Sequence, residues 1–474
     1  MQCSPRSSRH FAIAVLAFCL PACNGNNGLT TNVPAVSLPS QSLAQGQPAF
    51  GQMHQDRFHH HGSSGKIQHV VIIIQENRSF NNLFYGFPGA TTATYGYNTS
   101  GQKITLQPVD LKTSWDVDHS STAFFDSCNG TGSIPGTKCR MNGFDKEGWQ
   151  CGTAGFSSCP NSNPPYSYVP NSETKPYFDM GEQYVVADHM YPSNLDESSF
   201  VSHQYIIAAQ SEAAVNFPSI WGCQGGSSNI IYEIGPQRQV PDGHEEVCFS
   251  NTSLGQEADK AGVSWAYYAV SLSGSFSDVW SAYQANKYVY SGSDWSKDVI
   301  SPPSQFLTDV SNGKLRQITW ITPTYANSDH AGGNTTNGPS WVASLVNVIG
   351  QSKYWDSTAI FIFWDDPGGW FDPEPPPYKD YDGLGIRVPL IIVSPYAKQG
   401  YVSHVQYEHG SILRFVEDQF GLGRLSATDT RATSPEKDCF NFTKPPRKFQ
   451  AIPAVLGKDY FLRQPPDNRL PDNQ

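Results

Sequence analysis

The chain has 474 residues, and its 31 basic against 42 acidic side chains give a formal net charge of −11. This balance argues against a nucleic-acid partner held through its phosphates. Charged residues make up only 15%, whereas 41 glycines, 35 prolines and 13% aromatic residues are typical of a loop-rich exported protein rather than a helical cytosolic one. The length would allow two or three domains, but we expect one core with long insertions.

The amino terminus has the pattern of an export signal. Arg6 and Arg9 precede an apolar run over residues 11–20, which is too short to span a bilayer permanently. The sequence Leu-Pro-Ala-Cys that ends at Cys23 resembles a bacterial lipobox. We therefore predict a signal peptide over 1–22 and lipidation of Cys23, with an ordinary cleaved signal peptide as the alternative. The expected product is an envelope lipoprotein, in the periplasm or outer membrane, or a secreted protein, with membrane attachment by lipid only.

The two ends of the remaining chain predict segments outside the core. Residues 23–65 are rich in Asn, Ser, Gln, Gly and Pro, which predicts a flexible tether. A histidine run at 59–61 could bind metal weakly, although a solvated tract is the commoner interpretation. We expect an ordered domain over 66–463 and a disordered tail over 464–474.

The ten cysteines fit an oxidising compartment. Two lie in the predicted signal peptide and one is Cys23, which leaves seven. Their spacing favours three disulfides and an unpaired Cys439, with the connectivity still open: Cys128–Cys139, Cys151–Cys159 and Cys223–Cys248. A zinc site is disfavoured because the chain has no close Cys-x-x-Cys pair.

The first strong structural signal is the apolar run over 70–74, which stops at Glu76 and Asn77. An unbroken run of this kind predicts a strand buried on both faces, as in a parallel sheet flanked by helices. In such sheets chemistry collects just beyond the carboxyl ends of the strands. Ser79 is placed to cap a following helix. Taken alone, Glu76 could be only the solvated end of a strand.

Polar loops later in the chain supply a histidine and a serine. His119 lies in the loop Trp-Asp-Val-Asp-His-Ser, where it could contact phosphate or metal, although an isolated histidine of this kind is more often a surface residue. Ser199 lies where a loop enters a helix predicted over 201–214. A serine there is usually an N-cap, but a helix start also favours phosphate, so a nucleophile would be well placed. His244, in a region of uncertain structure, has no assigned role.

Two further apolar runs resemble the first. One, over 359–364, ends in Asp365 and Asp366 before a Pro-Gly-Gly turn, and the other, over 318–322, leads into a loop with His330. Three strands that each deliver acids or a histidine to one edge are hard to explain by solvation alone. A fourth buried strand over 388–393 and helices over 341–349 and 411–419 complete an α/β pattern.

The polar residues at this edge suit a metal-assisted reaction. Glu76, Asn77, Asp365 and Asp366 offer carboxylate and amide oxygens, the ligands of a hard divalent cation whose identity the sequence does not fix. One such ion would polarise a phosphoryl oxygen and lower the pKa of the Ser199 hydroxyl, which makes that serine a candidate nucleophile.

The two histidines would complete that chemistry. His119 and His330 could hold the remaining phosphate oxygens or protonate the leaving group. Each assignment is weak singly, but together they describe hydrolysis of a phosphate ester through a phosphoserine intermediate.

The stretch Glu76-Asn77-Arg78-Ser79-Phe80, with Phe84 following, resembles the ENRSFDxxFG signature of a bacterial phosphoesterase family. That family joins phosphatidylcholine-type phospholipases C to acid phosphatases within the alkaline-phosphatase-like superfamily. The similarity extends from about residue 66 to about residue 425 and includes the motifs at 364–372, 383–389 and 411–415. The resemblance implies an α/β, alkaline-phosphatase-like fold: a mainly parallel sheet flanked by helices on both faces, with disulfide-stapled loop insertions.

The resemblance also implies roles for individual residues. It matches the metal ligands to Glu76, Asn77, Asp365 and Asp366, with Ser199 as both ligand and nucleophile. His119 and His330 resemble phosphate-contacting histidines, and His244 is the candidate for a remaining one. Three positions depart from the family pattern: Asn81 and Tyr85 replace an Asp and a Gly, and Pro373 stands where a His is usual. The Pro373 change could remove a proton donor and alter activity.

These arguments favour a metal-dependent phosphoric ester hydrolase whose partner is a phosphate-ester substrate. The Ser-Phe setting of Ser199 favours the acid phosphatase type, and a phosphodiesterase acting on phospholipid headgroups is the alternative. A non-catalytic envelope binding protein that keeps the fold is a second alternative, favoured by the departures at Asn81 and Pro373. A sulfatase is disfavoured because the chain has no Cys/Ser-x-Pro-x-Arg motif.

Overall fold

A computed structural model of the chain describes residues 65–151, 158–270 and 280–467. The predicted signal peptide, the lipidation site Cys23, the tether to residue 64 and the histidine run at 59–61 lie outside these ranges. The predicted disordered tail is described only as far as Asp467. There Gln464 accepts a hydrogen bond of 2.8 Å from the side chain of Asn327, and Asp467 accepts one of 2.6 Å from the backbone of Ala326. The start of the expected tail is therefore attached to the domain.

The strands and helices of the described residues are named here in chain order. The strands are β1 His69–Gln75, β2 Tyr95–Tyr97, β3 Lys103–Thr105, β4 Gln107–Pro108, β5 Ser167–Tyr168, β6 Val185–Tyr191, β7 Ala214–Val215, β8 Ile230–Glu233, β9 Gly243–Glu246, β10 Trp265–Tyr268, β11 Val299–Ile300, β12 Ile318–Ile321, β13 Thr358–Trp364, β14 Val388–Val393, β15 Tyr401–Ser403 and β16 Tyr407–Glu408. The α-helices are α1 Phe80–Leu83, α2 Ser121–Cys128, α3 Lys175–Gln183, α4 Ser199–Ala208, α5 Leu254–Ala261, α6 Lys287–Ser291, α7 Asp294–Lys297, α8 Gln305–Ser311, α9 Gly338–Gly350, α10 His409–Phe420, α11 Ala427–Arg431, α12 Glu436–Cys439 and α13 Lys458–Arg463. Short 3-10 turns lie at Cys223–Gly225, Ala282–Gln284, Tyr325–Asn327 and Trp355–Ser357.

A nine-stranded sheet forms the centre of the domain. Its strand order is β11-β10-β12-β1-β13-β14-β6-β15, with β16 also beside β6. Every neighbouring pair is parallel except those of β14, which runs antiparallel to both β13 and β6. The predicted α/β fold with a mainly parallel sheet is therefore confirmed. The direction of β14 could not be read from its apolar sequence, because burial on both faces is the same for either direction.

The central position of β1 explains its sequence. It pairs with β12 on one side and with β13 on the other, so its side chains face covered surfaces above and below the sheet. Residues 70–74 are at most 1% exposed. Two groups of mutually contacting helices accompany the sheet, one made of α3, α8, α9 and α13 and the other of α4, α5, α10 and α11. The apolar run therefore marks the core of the domain.

The helix predicted over 201–214 is shorter and begins earlier. It is α4, which starts at Ser199 itself and ends at Ala208, followed by a C-cap at Ala209 in the left-handed region with φ 58°. The predicted cap of the first helix is confirmed, since Ser79 accepts a hydrogen bond of 3.2 Å from the backbone of Asn82. Within the described residues, no helix combines the length and the apolar character needed to cross a membrane.

Three disulfides hold the loop insertions, as predicted. The pairs and their Cα separations are Cys128–Cys139 at 4.5 Å, Cys151–Cys159 at 4.9 Å and Cys223–Cys248 at 4.5 Å. Among the cysteines that the structure describes, Cys439 is a free thiol, and it is buried.

Candidate active site

The carboxyl end of β1 is tied to the loop after β12. The Gln75 side chain donates a hydrogen bond of 3.2 Å to the carbonyl of Asn327 and accepts one of 3.0 Å from the backbone of Asp329. Because β1 and β12 are parallel neighbours, both chain segments leave the sheet at the same edge. The next residues of β1, Glu76 and Asn77, are fully buried at this edge.

The turn after β13 brings two carboxylates to Asn77. The backbone of Asn77 donates to Asp365 Oδ1 at 3.2 Å, and its side-chain Nδ2 donates to Asp366 Oδ2 at 3.0 Å. Gly368 has φ 62°, and a Cβ there would lie 2.2 Å from the carbonyl oxygen of Asn77. Only glycine fits this approach, so the Pro-Gly-Gly sequence fixes the distance between the two strand ends.

Ser199 completes the group that we call the serine pocket: Glu76, Asn77, Ser199, Asp365 and Asp366. Ser199 Oγ donates to Asp366 Oδ2 at 3.1 Å and accepts from Asn77 Nδ2 at 3.1 Å. The N-cap of α4 is Ser198, whose hydroxyl instead bonds the carbonyl of Asn216. The Ser199 hydroxyl is therefore directed at the two strand ends and has no capping role.

A histidine missed by the sequence analysis lies against the serine pocket. His203 Nε2 is 3.2 Å from Glu76 Oε1 and 3.5 Å from Asp365 Oδ2, and its side chain is 1% exposed. It follows Ser199 by four residues, so both side chains share one face of α4. The sequence Ser-Phe-Val-Ser-His contains that spacing. A helix predicted to begin at residue 201 leaves Ser199 outside it, however, and so does not place the two side chains on one face.

The donor set of the serine pocket fits a divalent cation. Glu76, His203 and Asp365 each offer a ligand atom within 4.8 Å of the others, and all three residues are buried. Burial raises the pKa of Asp365, but the hydrogen bond and charge of His203 outweigh burial and hold that pKa below its usual value. Several buried carboxylates at one place need compensating positive charge, which a metal ion supplies.

A second group, which we call the histidine cluster, contains Asp116, His119 and His330. Their ligand atoms lie within 4.8 Å of one another, and the two imidazole centroids are 5.5 Å apart. His119 Nδ1 is 2.7 Å from the carbonyl of Val117, which assigns its proton to Nδ1 and directs Nε2 away from that backbone. His330 stacks on Trp280 with centroids 5.9 Å apart. The predicted pair of histidines is therefore brought together and held.

Buried acids lie between the histidine cluster and the loop that precedes Ser199. Burial raises the pKa of Asp196 to about 6, although hydrogen bonds from backbone amides and the nearby His119 lower it. Burial also raises the pKa of Glu197 well above its usual value, and again His119 opposes the shift. Glu147 is buried beside them, and burial followed by the charge of Glu197 raises its pKa. None of these three acids was singled out in the sequence, because nothing local to them signals burial.

His244 does not join these residues. It lies on β9, paired with Tyr232 of β8, and it is exposed. Within the described ranges no hydrogen bond or ion pair links it to the serine pocket or to the histidine cluster. The suggestion that His244 is a remaining phosphate-contacting histidine is therefore not supported by its position.

Two of the three departures from the family pattern, Asn81 and Tyr85, make structural contacts here. Asn81 accepts a hydrogen bond of 2.7 Å from the backbone of Ala93, and its own backbone donates to Asp372 at 3.0 Å. Asp372, just before Pro373, forms a fully buried ion pair of 3.0 Å with Arg387. Tyr85 stacks on an aromatic ring of β5 with centroids 3.9 Å apart. These contacts lie outside the serine pocket and leave its residues assembled.

Comparison of the sequence with known proteins finds a family of phosphoester hydrolases. The family model described as "Phosphoesterase family" matches residues 67–423. Phospholipase C B of Mycobacterium tuberculosis is 24% identical over 80% of this chain and 78% of that protein. Non-specific phospholipase C3 of Arabidopsis thaliana is 25% identical over 80% of this chain and 76% of that protein. Non-hemolytic phospholipase C of Burkholderia pseudomallei is 22% identical over 86% of this chain and 63% of that protein.

Solved structures with low identity also resemble this chain. A protein of the alkaline phosphatase superfamily from Vibrio parahaemolyticus aligns with a TM-score of 0.33 and 10% identity, covering 56% of this chain and 65% of that one. The α/β class is therefore taken from the strand order and directions of this chain itself.

Proposed function

Since this chain belongs to the Phosphoesterase family and is a phosphoric ester hydrolase, we propose that it uses a divalent metal ion and a phosphoserine intermediate formed at Ser199. The observation that carries this proposal is the position of Ser199 Oγ, bonded at 3.1 Å to both Asn77 and Asp366. A hydroxyl held in this way at a helix start, beside buried carboxylates, is a prepared nucleophile.

The metal ion would be held by the serine pocket, with His203 as a further donor close to Glu76 and Asp365. When bound, it supplies positive charge that stabilises the charge developing on the phosphoryl group and lowers the pKa of the serine hydroxyl.

Residues of the protein transfer the protons and form the covalent intermediate. The Ser199 hydroxyl proton is directed at Asp366, and Oγ attacks phosphorus as the bond to the leaving oxygen breaks. The histidine cluster, beside the loop that delivers Ser199, holds the phosphoryl oxygens and supplies a proton to the leaving group. Water then attacks phosphorus and gives a proton to the histidine cluster, the bond between Ser199 Oγ and phosphorus breaks, and Asp366 returns a proton to Oγ as phosphate or a phosphomonoester is released.

The substrate class is the next point of the proposal. The Ser-Phe setting of the nucleophile favours the monoester type, whereas the named relatives are phospholipases C and favour a phosphodiester such as a phospholipid headgroup. A non-catalytic binding role is disfavoured because the pocket residues are assembled despite the departures at Asn81 and Pro373.

The deciding experiment compares p-nitrophenyl phosphate with p-nitrophenyl phosphorylcholine, each with and without chelator, using the full chain. Turnover that the chelator abolishes supports the metal-dependent mechanism, and the preferred substrate separates the monoesterase from the diesterase. Absence of turnover with both substrates, in protein that has bound metal, would favour the binding role.

The predicted lipoprotein anchor has its own test. Replacing Cys23 with Ala should release the protein from membranes into the soluble fraction, because no acyl chain could then be attached. Membrane fractionation measures this, and continued attachment of the variant would contradict lipidation at Cys23.

A further inference from the structure

A third group of possible ligands lies away from both parts of the active site. Asp188 and His189 are on β6, and His404 directly follows β15; we call these three residues the β6 cluster. Each residue offers a ligand atom within 4.8 Å of the others. The parallel register of β6 and β15, which pairs Ala187 with Ser403, places His404 beside Asp188.

The carboxylate of the β6 cluster is buried, and its histidines reach solvent. The Asp188 side chain is 0% exposed, that of His189 is 25% exposed and that of His404 is 58% exposed. His189 Nδ1 lies 2.6 Å from Asp188 Oδ1, and His404 Nδ1 lies 2.9 Å from Asp188 Oδ2. Two imidazoles, one on β6 and one just after β15, thus approach the same buried carboxylate from the solvent side.

The carboxylate itself is fixed by the backbone around it. Asp188 Oδ2 accepts a hydrogen bond of 2.8 Å from the amide of Thr91, and the carbonyl of Asp188 accepts one of 2.7 Å from Arg387. A rigid buried oxygen with two adjustable, exposed imidazoles is the arrangement expected of a metal site that can form without moving the core.

We propose that Asp188, His189 and His404 bind a transition-metal ion, of which Zn²⁺ is the reference case, at a site separate from the serine pocket. Two imidazole nitrogens and one carboxylate oxygen suit Zn²⁺, Ni²⁺ or Cu²⁺ and not Mg²⁺ or Ca²⁺. In a tetrahedral zinc site neighbouring ligand atoms are about 3.3 Å apart. The present separations of 2.6 and 2.9 Å need only a small outward movement of the exposed rings once the ion replaces the Nδ1 protons.

The consequence for the protein is a link between β6 and the segment after β15. Because the three protein ligands leave one tetrahedral position open and His404 is 58% exposed, water or an external ligand would complete the site. A bound ion would stabilise the folded chain in proportion to its concentration over its dissociation constant. This inference does not depend on the reaction proposed for Ser199.

The test is the number of Zn²⁺ ions bound by the full chain, measured by equilibrium dialysis and elemental analysis. The serine pocket and the histidine run at 59–61 could also take Zn²⁺, so the informative quantity is a difference between variants. His404→Ala should bind one equivalent less than the wild type, or bind that equivalent at least about tenfold more weakly. Loss of a residue that only orients a metal ligand already lowers metal affinity about 10- to 100-fold. His244→Ala is the matched control, because His244 is, like His404, an exposed histidine, and this variant should bind as many ions as the wild type.

The zinc content of a second variant and the melting temperature test the same site independently. His189→Ala should lose the same equivalent, and Zn²⁺ should raise the melting temperature of the wild type more than that of His404→Ala. The same zinc count in the wild type, His189→Ala and His404→Ala would show that the β6 cluster is only a hydrogen-bonded group and would overturn the proposal.

Discussion

The serine pocket and the β6 cluster both place a buried carboxylate against histidine, yet they are built for different ligands. The pocket is closed: Glu76, Asn77, Ser199 and Asp365 are all fully buried, and most of its donor atoms are oxygens. The β6 cluster is open, with His404 more than half exposed, and most of its donors are nitrogens. The closed site, with mostly oxygen donors, suits a hard cation and the proposed nucleophile Ser199, whereas the open site, with mostly nitrogen donors, suits a borderline metal and contains no nucleophile. Burial and donor type, rather than the presence of histidine and acid, separate the site proposed for catalysis from the site proposed only to bind a metal ion.

The largest expected loss of kcat follows removal of the proposed nucleophile of the serine pocket. Ser199→Ala should lower kcat by at least about 10³-fold, because no other hydroxyl is bonded to Asn77 and Asp366 among the described residues. Ser198→Ala is the matched control; it should cost about 1 kcal/mol of stability by losing the bond to Asn216 while keeping turnover. Near-normal kcat in Ser199→Ala, with an unchanged circular dichroism spectrum, would refute the nucleophile assignment.

The next effect tests whether the two regions bind metal independently. Asp365→Asn should lose the ion of the serine pocket and about 10²-fold or more in kcat, because a carboxylate ligand becomes a neutral amide. The zinc equivalent of the β6 cluster should remain in this variant, and His404→Ala should conversely keep its turnover. Elemental analysis and kinetics on both variants measure this, with the exposed Asp459→Asn as control. Unchanged metal content in Asp365→Asn would move the active-site ion elsewhere.

A smaller effect is expected at the histidine that the sequence analysis missed. His203→Ala should lower kcat about 10- to 100-fold, because its Nε2 lies beside Glu76 and Asp365. There it would ligate the metal ion or hold the two carboxylates in position. His203→Gln keeps a nitrogen donor of similar reach and should recover part of the loss. His244→Ala should retain wild-type kcat, since His244 is on β9. Equal kcat in His203→Ala and the wild type would remove His203 from the site.

The smallest expected effect is a pH dependence of stability at the buried acid before Ser199. Burial raises the pKa of Asp196 from 3.8 to about 6, so its contribution is fully present below pH 3.8 and is lost as the pH rises to about 6. Asp196→Asn lacks this titration. Relative to the wild type, its free energy of unfolding should therefore rise by about 2 kcal/mol between pH 4 and pH 7. Urea unfolding at several pH values measures this, and a difference that does not change with pH would show that Asp196 titrates normally.

The sequence predicted those parts of the active site that follow directly from strand ends. Glu76, Asn77, Asp365 and Asp366 come immediately after apolar runs, and parallel strands bring such ends to one edge. Ser199 was found from its motif, and the structure places it against the same residues. The three disulfides followed from proximity alone.

The remaining parts depend on geometry that the sequence does not contain. His203 required the true start of α4, two residues before the predicted one. The β6 cluster joins Asp188 to His404 across 216 positions and required the pairing of β6 with β15. The burial of Glu147 and Glu197 depends on contacts between loops that have no periodic pattern.

The single antiparallel strand has a further consequence. Because β14 runs against its neighbours, the chain between Trp364 and Val388 leaves and re-enters the sheet at the same edge, the edge that carries Ser199. That connection begins with two pocket carboxylates, and a buried ion pair ties Asp372 to Arg387, the residue just before β14. Residues 382–387 are buried, whereas residues 373–381 are partly or fully exposed. Substitutions in that exposed part can therefore accumulate, or be introduced by an engineer, without changing one pairing in the sheet.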